Sequence, residues 1–429
     1  MHSVMAAIGF LVILLAFTGL DLLWWRAADR RLQPLRAAKL WRTLLAAFMG
    51  LLLLEVFLLA FWRTGISASQ GPMPLPLHAV IYLWHFLILP IVTAMLCAGA
   101  VIRWARGKTS ARLPVPHRAM SLAGISADVN PTALPELPAA PQSASGPSRR
   151  QVLAAAAMAV PPLAACAVGA ATVVQMRQWR LQKYTLPIPT LPKVLDGLTI
   201  AQVSDTHIGK FLHPSRLPEI ADSVNRLNAD FVVFTGDLID MSIVDLPYGI
   251  TFLQSLKARC GVTICEGNHD LFEDRGEFER RLRPAGLSLL LGGQQIFSCV
   301  PGANPGGRNF PVQFLGLPWN QTDPATNASM DCLRPLINPD AFPILLAHHP
   351  HAFDPAAAAG IPLTLSGHTH GGQIMFTPTL GAGPVRFRYI SGLYQKPGSS
   401  LIVNNGLGNW FPLRLNAPAE IVHITLRSV

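Results

Sequence analysis

Five short apolar runs in the C-terminal half of the chain each end in residues that can bind metal ions. The runs cover 198–203, 231–234, 262–264, 344–346 and 363–365. Short apolar runs bounded by turn residues are typical of buried strands. Because ligands in an α/β sheet collect on the loops at strand ends, this pattern predicts an α/β domain with a site at one sheet edge.

The residues that follow these runs share one chemistry, that of carboxylate, amide and imidazole donors. They are Asp205 and His207, Asp237, Asn268 with His269 and Asp270, His348 with His349, and His368 with His370. Such donors bind Mn, Fe or Zn, and two ions about 4 Å apart can clamp both the attacking and the leaving oxygen of a phosphoester displacement. The pattern therefore predicts a site for two divalent metal ions.

In this order the motifs resemble the signature of the calcineurin-like metallophosphoesterase superfamily, which is D-x-H, G-D, G-N-H-[DE], a single His and G-H-x-H. The stretches 392–394, 404–408 and 417–421 are similar to the membrane-linked bacterial branch of that family. The resemblance covers roughly residues 190–429. It implies a two-sheet sandwich flanked by helices, whereas the residue pattern alone gives only alternating β and α.

The resemblance also implies a role for each matching residue. It assigns Asp205, His207 and His370 to one metal ion, Asn268, His348 and His368 to the other, and Asp237 to a bridge between them. A hydroxide bridging the two ions would be the nucleophile. His269 would stay off the metals and protonate the leaving oxygen or stabilise phosphoryl charge, and Asp270 could orient it through a hydrogen bond.

Two neighbouring residues keep alternative interpretations. The family's ligand is usually the His two positions before the Pro, which is His348, so His349 is expected at most to support the ligands. Asp240 completes a Gly-Asp-x-x-Asp pattern, but it could equally cap a loop.

The first 195 residues indicate where in the cell the protein is located. Val4 to Trp25, Thr43 to Trp62 and Ala79 to Trp104 are apolar for about 20 residues or more, enough to span a bilayer. These runs predict three transmembrane helices within 1–106. A fourth apolar segment at 151–175 could be a further span or an internal twin-arginine-like signal, because Arg149 and Arg150 precede it.

The distribution of basic residues predicts the orientation. Arg26 to Arg42 holds six Lys or Arg and Arg103 to Arg150 holds seven, whereas Arg63 to Leu77 holds one. Because positive loops stay in the cytoplasm, we expect a multi-pass protein of a bacterial inner membrane with its C-terminal domain on the outer, periplasmic side. Arg177, Arg180 and Lys183 count mildly against this orientation.

Charge arithmetic argues against a nucleic-acid partner. Residues 1–195 carry 18 basic and 5 acidic side chains, a net charge of +13, whereas residues 196–429 carry 16 and 19, a net charge of −3. A nucleic-acid surface needs its positive charge on the binding domain. No protein partner can be inferred. The Pro-, Ala- and Ser-rich stretch 107–150 is typical of a disordered linker, and a second Pro-punctuated linker is expected at Thr185 to Pro192.

Three smaller hypotheses concern individual side chains. Cys260, Cys265, Cys299 and Cys332 are expected to be buried thiols rather than disulfides. Glu55 and His85 could pair within the membrane or snorkel to water. Trp410 and Phe411 could form an apolar rim near the site or belong to the core.

These features together predict a membrane-anchored phosphohydrolase that uses two metal ions and acts on a phosphoester or pyrophosphate, with a membrane lipid or glycolipid as one substrate class. Two alternatives stay open. The first is a phosphodiesterase of broad specificity without lipid preference, and the second is a metal-binding membrane sensor or scaffold without turnover.

Overall fold

The structure, a computed structural model, describes residues 2–35, 37–62, 75–110, 147–176, 178–209, 211–320, 322–377, 380–381, 387–410 and 413–429. The chain divides into two compact units. The helical unit contains Met1–Thr64 and Leu83–Ala165, and the C-terminal unit, built mainly on β-sheets, contains Cys166–Val429 together with Gly65–Tyr82. Most of the predicted linker 107–150 and the side chains of Glu55 and Phe411 lie outside the described residues.

The described residues between 2 and 176 are mainly helical. The helices are α1 (His2–Leu32), α2 (Ala38–Trp62), α3 (Leu75–Leu83), α4 (Leu89–Ser110) and α5 (Arg149–Met176), and one π-helical turn (Trp84–Ile88) joins α3 to α4. Among the described residues, Ala79–Arg106 and Arg149–Met176 are long and apolar enough to cross a membrane. All four predicted spans therefore lie within helices.

A buried polar cluster lies within the helical unit. The carboxylate of Asp21 accepts a hydrogen bond from Trp84 Nε1 at 2.8 Å and lies 3.0 Å from His85 Nε2. Both Asp21 and His85 are buried. Asp21 on α1 is thus a buried partner of His85, and the predicted contact with Glu55 involves a side chain outside the described part of the structure.

Two six-stranded mixed sheets form the C-terminal unit. Their strands are β1 (Trp179–Ile188), β2 (Thr199–Val203), β3 (Phe231–Thr235), β4 (Gly261–Cys265), β5 (Ser288–Leu289), β6 (Gly293–Cys299), β7 (Phe310–Gly316), β8 (Phe342–Leu346), β9 (Leu363–Ser366), β12 (Gly392–Lys396), β13 (Ser399–Val403) and β14 (Ala419–Ser428). A separate two-stranded ribbon contains β10 (Met375–Thr377) and β11 (Leu380–Gly381). All five predicted strands are confirmed.

The strand order is β1-β14-β2-β3-β4-β5 in the first sheet and β12-β13-β9-β8-β7-β6 in the second. In the first sheet β2 to β5 are parallel, and β14 runs antiparallel to β2. In the second sheet β7, β8, β9 and β13 are parallel. The carboxyl ends of these parallel strands carry the predicted metal-binding motifs.

The main core lies between the two sheets. Ile200, Phe231 and Val233 of the first sheet pack in one cluster with Phe314 and Ile344 of the second. Helices cover the outer faces, so the central strands are buried on both sides, and β3 and β8 are largely apolar. The helices are α6 (Leu217–Asn225), α7 (Leu246–Ser255), α8 (Arg275–Leu282), α9 (Asp323–Leu333) and α10 (Phe353–Ala358).

Two expectations need correction. The stretch Thr185 to Pro192 is not a linker, because β1 extends to Ile188 and pairs along its whole length with β14. The C-terminal unit therefore includes β1, which begins before residue 190. The cysteine hypothesis is also wrong in part, since Cys260 and Cys299 form a disulfide between β6 and the start of β4. Cys265 is a buried thiol, and Cys332 is an exposed one.

Candidate metal centre

The predicted ligands come together on neighbouring loops at the strand ends, and backbone hydrogen bonds join these loops. Asp205 N donates to Gly236 O, His207 N to Asp237 O, and Gly367 N to His348 O. Five of the predicted ligands adopt left-handed backbone conformations with φ between 42° and 74°; they are Asp205, His207, Asp237, His368 and His370. Non-glycine residues rarely adopt such angles, and strain of this kind concentrates at functional sites.

The first group of donors contains Asp205, His207 and His370, all fully buried. His207 Nε2 lies 2.9 Å from His370 Nε2, and His370 Nε2 lies 3.2 Å from Asp205 Oδ1. Two ligands about 2.1 Å from one ion lie about 3.0 to 3.4 Å apart at tetrahedral or octahedral angles. Asp205 Oδ1 and His207 Nε2 are 3.9 Å apart, so two of the three separations come close to those expected around a single ion.

The second group contains Asp237, His348 and His368. His348 Nε2 lies 3.0 Å from Asp237 Oδ2, and His348 Nδ1 lies 2.7 Å from the carbonyl oxygen of Thr235. Because a carbonyl only accepts, Nδ1 carries a proton that it donates, and this contact aims Nε2 at the site. Asn268 Oδ1 is buried without a hydrogen-bond partner. An unpartnered oxygen of this kind fits a divalent ion, since burial without a partner is costly.

Asp237 faces both groups through one oxygen atom. Its Oδ2 lies 3.0 Å from His348 Nε2 and 3.5 Å from His207 Nε2. Its other oxygen, Oδ1, accepts a hydrogen bond from the backbone N–H of His269 at 2.8 Å. A carboxylate in this position fits the bridging role that the resemblance implies.

Charge in the cluster favours a cation. Burial raises the pKa of Asp205, but His370 and His348 outweigh burial and lower it to about 2. Burial lowers the pKa of His348, but Asp237 and Asp205 outweigh burial and raise it to about 9. Two buried, ionised carboxylates thus draw positive charge into this pocket, and divalent ions would supply it.

His269 lies at the edge of the site, outside the donor groups that contain Asp205 and His348, and its ring also lies within ligand distance of His207 and Asp237. Its Nδ1 donates to the carbonyl oxygen of Asp240 at 2.6 Å, which leaves Nε2 for a substrate. Burial lowers the pKa of His269, but hydrogen bonding to Asp240 and the charge of Asp237 outweigh burial and raise it. His269 can therefore carry a proton at Nε2 near neutral pH.

Asp270 does not orient His269, contrary to the prediction. Its buried carboxylate accepts hydrogen bonds from the backbone N–H groups of Asp237, Leu238, Ile239 and Gly267. The side chain thus fixes the loop that carries Asp237. Asp240 lies beside His269 instead, with Oδ1 3.5 Å from His269 Nδ1 and 3.6 Å from His207 Nδ1.

Sequence reasoning missed Arg414, a fully buried residue beside the first group of donors. Its guanidinium donates to Asn409 Oδ1 and to the carbonyl oxygens of Asn405, Gly406, Gly408 and Ala417. Its Nη2 also lies 3.2 Å from His370 Nδ1. Burial lowers the pKa of Arg414 to about 10, so it stays charged at neutral pH.

Arg414 holds the segment 404–409 against the ligands. A Cβ on Gly406, whose φ is +73°, would crowd Asp205 and His370, and a Cβ on Gly408 would collide with the carbonyl oxygen of Thr206. The Gly-Leu-Gly sequence therefore permits a backbone approach that side chains would forbid.

His349 and Trp319 lie behind the second group. The Trp319 ring centroid is 4.9 Å from that of His368, 5.6 Å from that of His348 and 5.4 Å from that of His349. His349 Nδ1 accepts a hydrogen bond from the backbone N–H of His351. His349 thus packs beside the ligands, whereas His348 points into the site.

One known protein family matches the region of the chain that carries these donors. Residues 198–372 match the family of calcineurin-like phosphoesterases. This part of the chain is a calcineurin-like metallophosphoesterase domain. The metallophosphoesterase family typically binds divalent metals, in keeping with the donor groups described above.

Individual relatives resemble the metallophosphoesterase domain and its flanks. The chain is 29% identical over 252 residues to the uncharacterized metallophosphoesterase YkuE of Bacillus subtilis (strain 168), covering 57% of this chain and 85% of YkuE. It is 32% identical over 257 residues to a transmembrane protein with metallophosphoesterase domain of Danio rerio, covering 56% of each chain. The match thus spans about half the length of the Danio rerio relative.

A dimetal phosphatase from Danio rerio is a distant likeness among solved structures. The identity is 12%, the match covers 49% of this chain and 88% of that one, and the TM-score is 0.33. A score this low supports no conclusion.

Proposed function

We propose that the protein is a membrane-anchored phosphohydrolase whose metallophosphoesterase domain uses two divalent ions, Mn, Fe or Zn, to hydrolyse a phosphoester or pyrophosphate bond. The position of Asp237 carries the proposal, because one carboxylate oxygen faces a histidine of each donor group. Asp205, His207 and His370 would hold one ion, and Asn268, His348 and His368 the other. When bound, the two ions would supply hydroxide at neutral pH and offset the charge of the phosphoryl oxygens.

His269 has the geometry of a general acid. Its Nδ1 is committed to the Asp240 carbonyl, and its side chain is the most exposed of the His207, His269 and His348 set, at 11%. A protonated Nε2 would donate to the leaving oxygen as the ester bond breaks. An intact acid beside complete donor groups supports turnover over a sensor or scaffold role.

The rim patch, which we define as Met241, Phe272 and Trp410, supports a lipid or glycolipid substrate. Each of these side chains is about half exposed. The ring centroids of Phe272 and Trp410 lie 4.5 and 6.4 Å from that of His269, and Met241 follows Asp240. Exposed apolar side chains around a polar site are typical of a surface that accepts an acyl chain. A broad phosphodiesterase would not need them.

An extracytoplasmic location for the domain belongs to the same proposal. The basic loops favour it, and the disulfide between Cys260 and Cys299 is consistent with an oxidising compartment, because disulfides are rare in the cytosol.

The deciding experiment uses the full-length protein in nanodiscs, stripped of metal and reloaded with Mn. We expect metal-dependent hydrolysis of bis-p-nitrophenyl phosphate, p-nitrophenyl phosphate or a membrane phospholipid. Asp237→Asn should lower the rate about 100-fold or more and lower the bound metal measured by elemental analysis. Two bound ions with no turnover of any substrate would favour the sensor or scaffold instead.

A further inference from the structure

A cavity separate from the metal centre lies at the side of the metallophosphoesterase domain, between edge strands of the two sheets. Its volume is about 410 Å³, within the range of about 300 to 1,000 Å³ that suits small ligands. Alternate residues of β1, namely Arg180, Gln182 and Tyr184, form one wall. Because side chains of a strand alternate between faces, these three point to the same side.

The charge of the cavity lining is balanced, which argues against a strongly anionic ligand. Both Arg180 Nε and Arg180 Nη2 donate to Glu420 Oε2, at 2.9 and 2.8 Å. Glu420 is buried behind the wall and also accepts from the backbone N–H of Asn405. The guanidinium charge is therefore already paired.

The lining of the cavity offers amide and hydroxyl groups for hydrogen bonding. Gln182, Asn405 and Asn416 supply amides, and Tyr184, Thr377 and Ser391 supply hydroxyls. Asn405 is 2% exposed, and its Oδ1 has no hydrogen-bond partner. Burial raises the pKa of Tyr184, and Glu420 adds to this, so the phenol stays protonated. Amides and hydroxyls that both donate and accept complement adjacent hydroxyl groups of a ligand.

The cavity is distinct from the metal centre but shares one loop with it. Asn405 lines the cavity, and the next residue, Gly406, packs against Asp205 and His370. Met375 and Leu393 add apolar surface to the lining. An apolar face beside paired amides suits the C–H face and the hydroxyl edge of a sugar or cyclitol.

We propose that this cavity binds a neutral polyhydroxylated ligand, of the hexose or cyclitol class, at a site separate from the metal centre. The proposal does not depend on phosphoesterase activity. Gln182, Asn405 and Asn416 contact its hydroxyl groups, and Tyr184 donates to one of them. Binding fixes the Asn405 side chain and, through it, one face of the loop beside His370.

Saturation-transfer NMR on the full-length protein tests this assignment, with D-glucose, N-acetylglucosamine and myo-inositol as probes. The protein is held in a detergent without sugar groups, and EDTA removes divalent ions. We expect saturable binding of at least one probe. Gln182→Leu and Tyr184→Phe should each weaken that binding about tenfold.

The matched control is Gln295→Leu, the same substitution on β6, the edge strand at the opposite side of the second sheet. It should bind like wild type. Two results would overturn the proposal: no saturable binding by wild type, or equal binding by Gln182→Leu and Gln295→Leu. Hydrolysis is measured separately, with Mn present. Its absence would count against the proposed catalytic function and not against ligand binding in the cavity.

Discussion

His269 Nδ1 lies 2.6 Å from the carbonyl oxygen of Asp240, and this contact turns the opposite ring nitrogen toward the site. The Asp240 carboxylate lies beside the same ring and favours its protonated form. The proposed acid and its support thus come from two different strand-end loops, those after β4 and β3.

Replacing His269 should separate catalysis from metal binding. We expect His269→Ala to lower kcat about 10²- to 10⁴-fold, because the leaving oxygen loses its proton donor. Asp240→Asn keeps the backbone carbonyl and should lower kcat less, about tenfold. Bound metal, counted by elemental analysis, should stay at the wild-type value in His269→Ala. The matched control is His213→Ala, at an exposed histidine. Loss of metal from His269→Ala would make it a ligand instead.

The rim patch gives a prediction about substrates. Phe272→Ser with Trp410→Ser should lower hydrolysis of a long-chain phospholipid in vesicles about tenfold or more, because about 1.5 to 3 kcal/mol of side-chain burial is lost at each position. Hydrolysis of bis-p-nitrophenyl phosphate should change less than about twofold, since no acyl chain is bound. Equal losses on both substrates would remove the lipid assignment.

Much of the site follows from the sequence, and the exceptions have physical causes. Strand ends converge in any α/β sheet, so His207, Asp237 and His370 could be brought together from five apolar runs. Asp270 follows His269 in the chain, but the 3₁₀ turn at His269–Leu271 directs its carboxylate to the backbone of the preceding loop. Contacts of this kind depend on loop conformation, which residue types do not specify.

Arg414 was missed for a different reason. A charged residue in a loop is normally exposed, and only the folded loop shows the backbone carbonyls that surround this one. The pairing of Cys260 with Cys299 is likewise a contact between separate strands, 39 residues apart. Spacing does not determine which cysteines pair.

Removing Arg414 should destabilise the domain. Arg414→Met leaves several buried carbonyl oxygens without donors, at about 1 to 3 kcal/mol each. We expect a loss of at least about 3 kcal/mol, seen as a Tm lower by about 6 °C or more. Arg414→Lys keeps the charge and should lose less. Arg334→Met, at an exposed arginine, is the control. A wild-type Tm in Arg414→Met would show that the guanidinium does not hold the loop.

The disulfide predicts how many cysteine thiols can react before and after reduction. In denaturant without reductant, four of the six cysteines should react with a maleimide, and all six should react after reduction. Cys260→Ser with Cys299→Ser should destabilise the domain by about 2 to 5 kcal/mol, measured by thermal unfolding. Cys332→Ser is the control, because this thiol is exposed and free. Six reactive thiols before reduction would remove the support for an oxidising compartment.

The insertion of β14 between β1 and β2 has a consequence for biosynthesis. On the ribosome, Arg180 is made 240 residues before its partner Glu420, and among the described strands β14 is the sole sheet neighbour of β1. The edge of β2 is likewise open until β14 arrives, and open strand edges recruit other chains. A nascent chain must therefore be protected until β14 is made, and a nonsense mutation between β13 and Ala419 should yield an aggregating product.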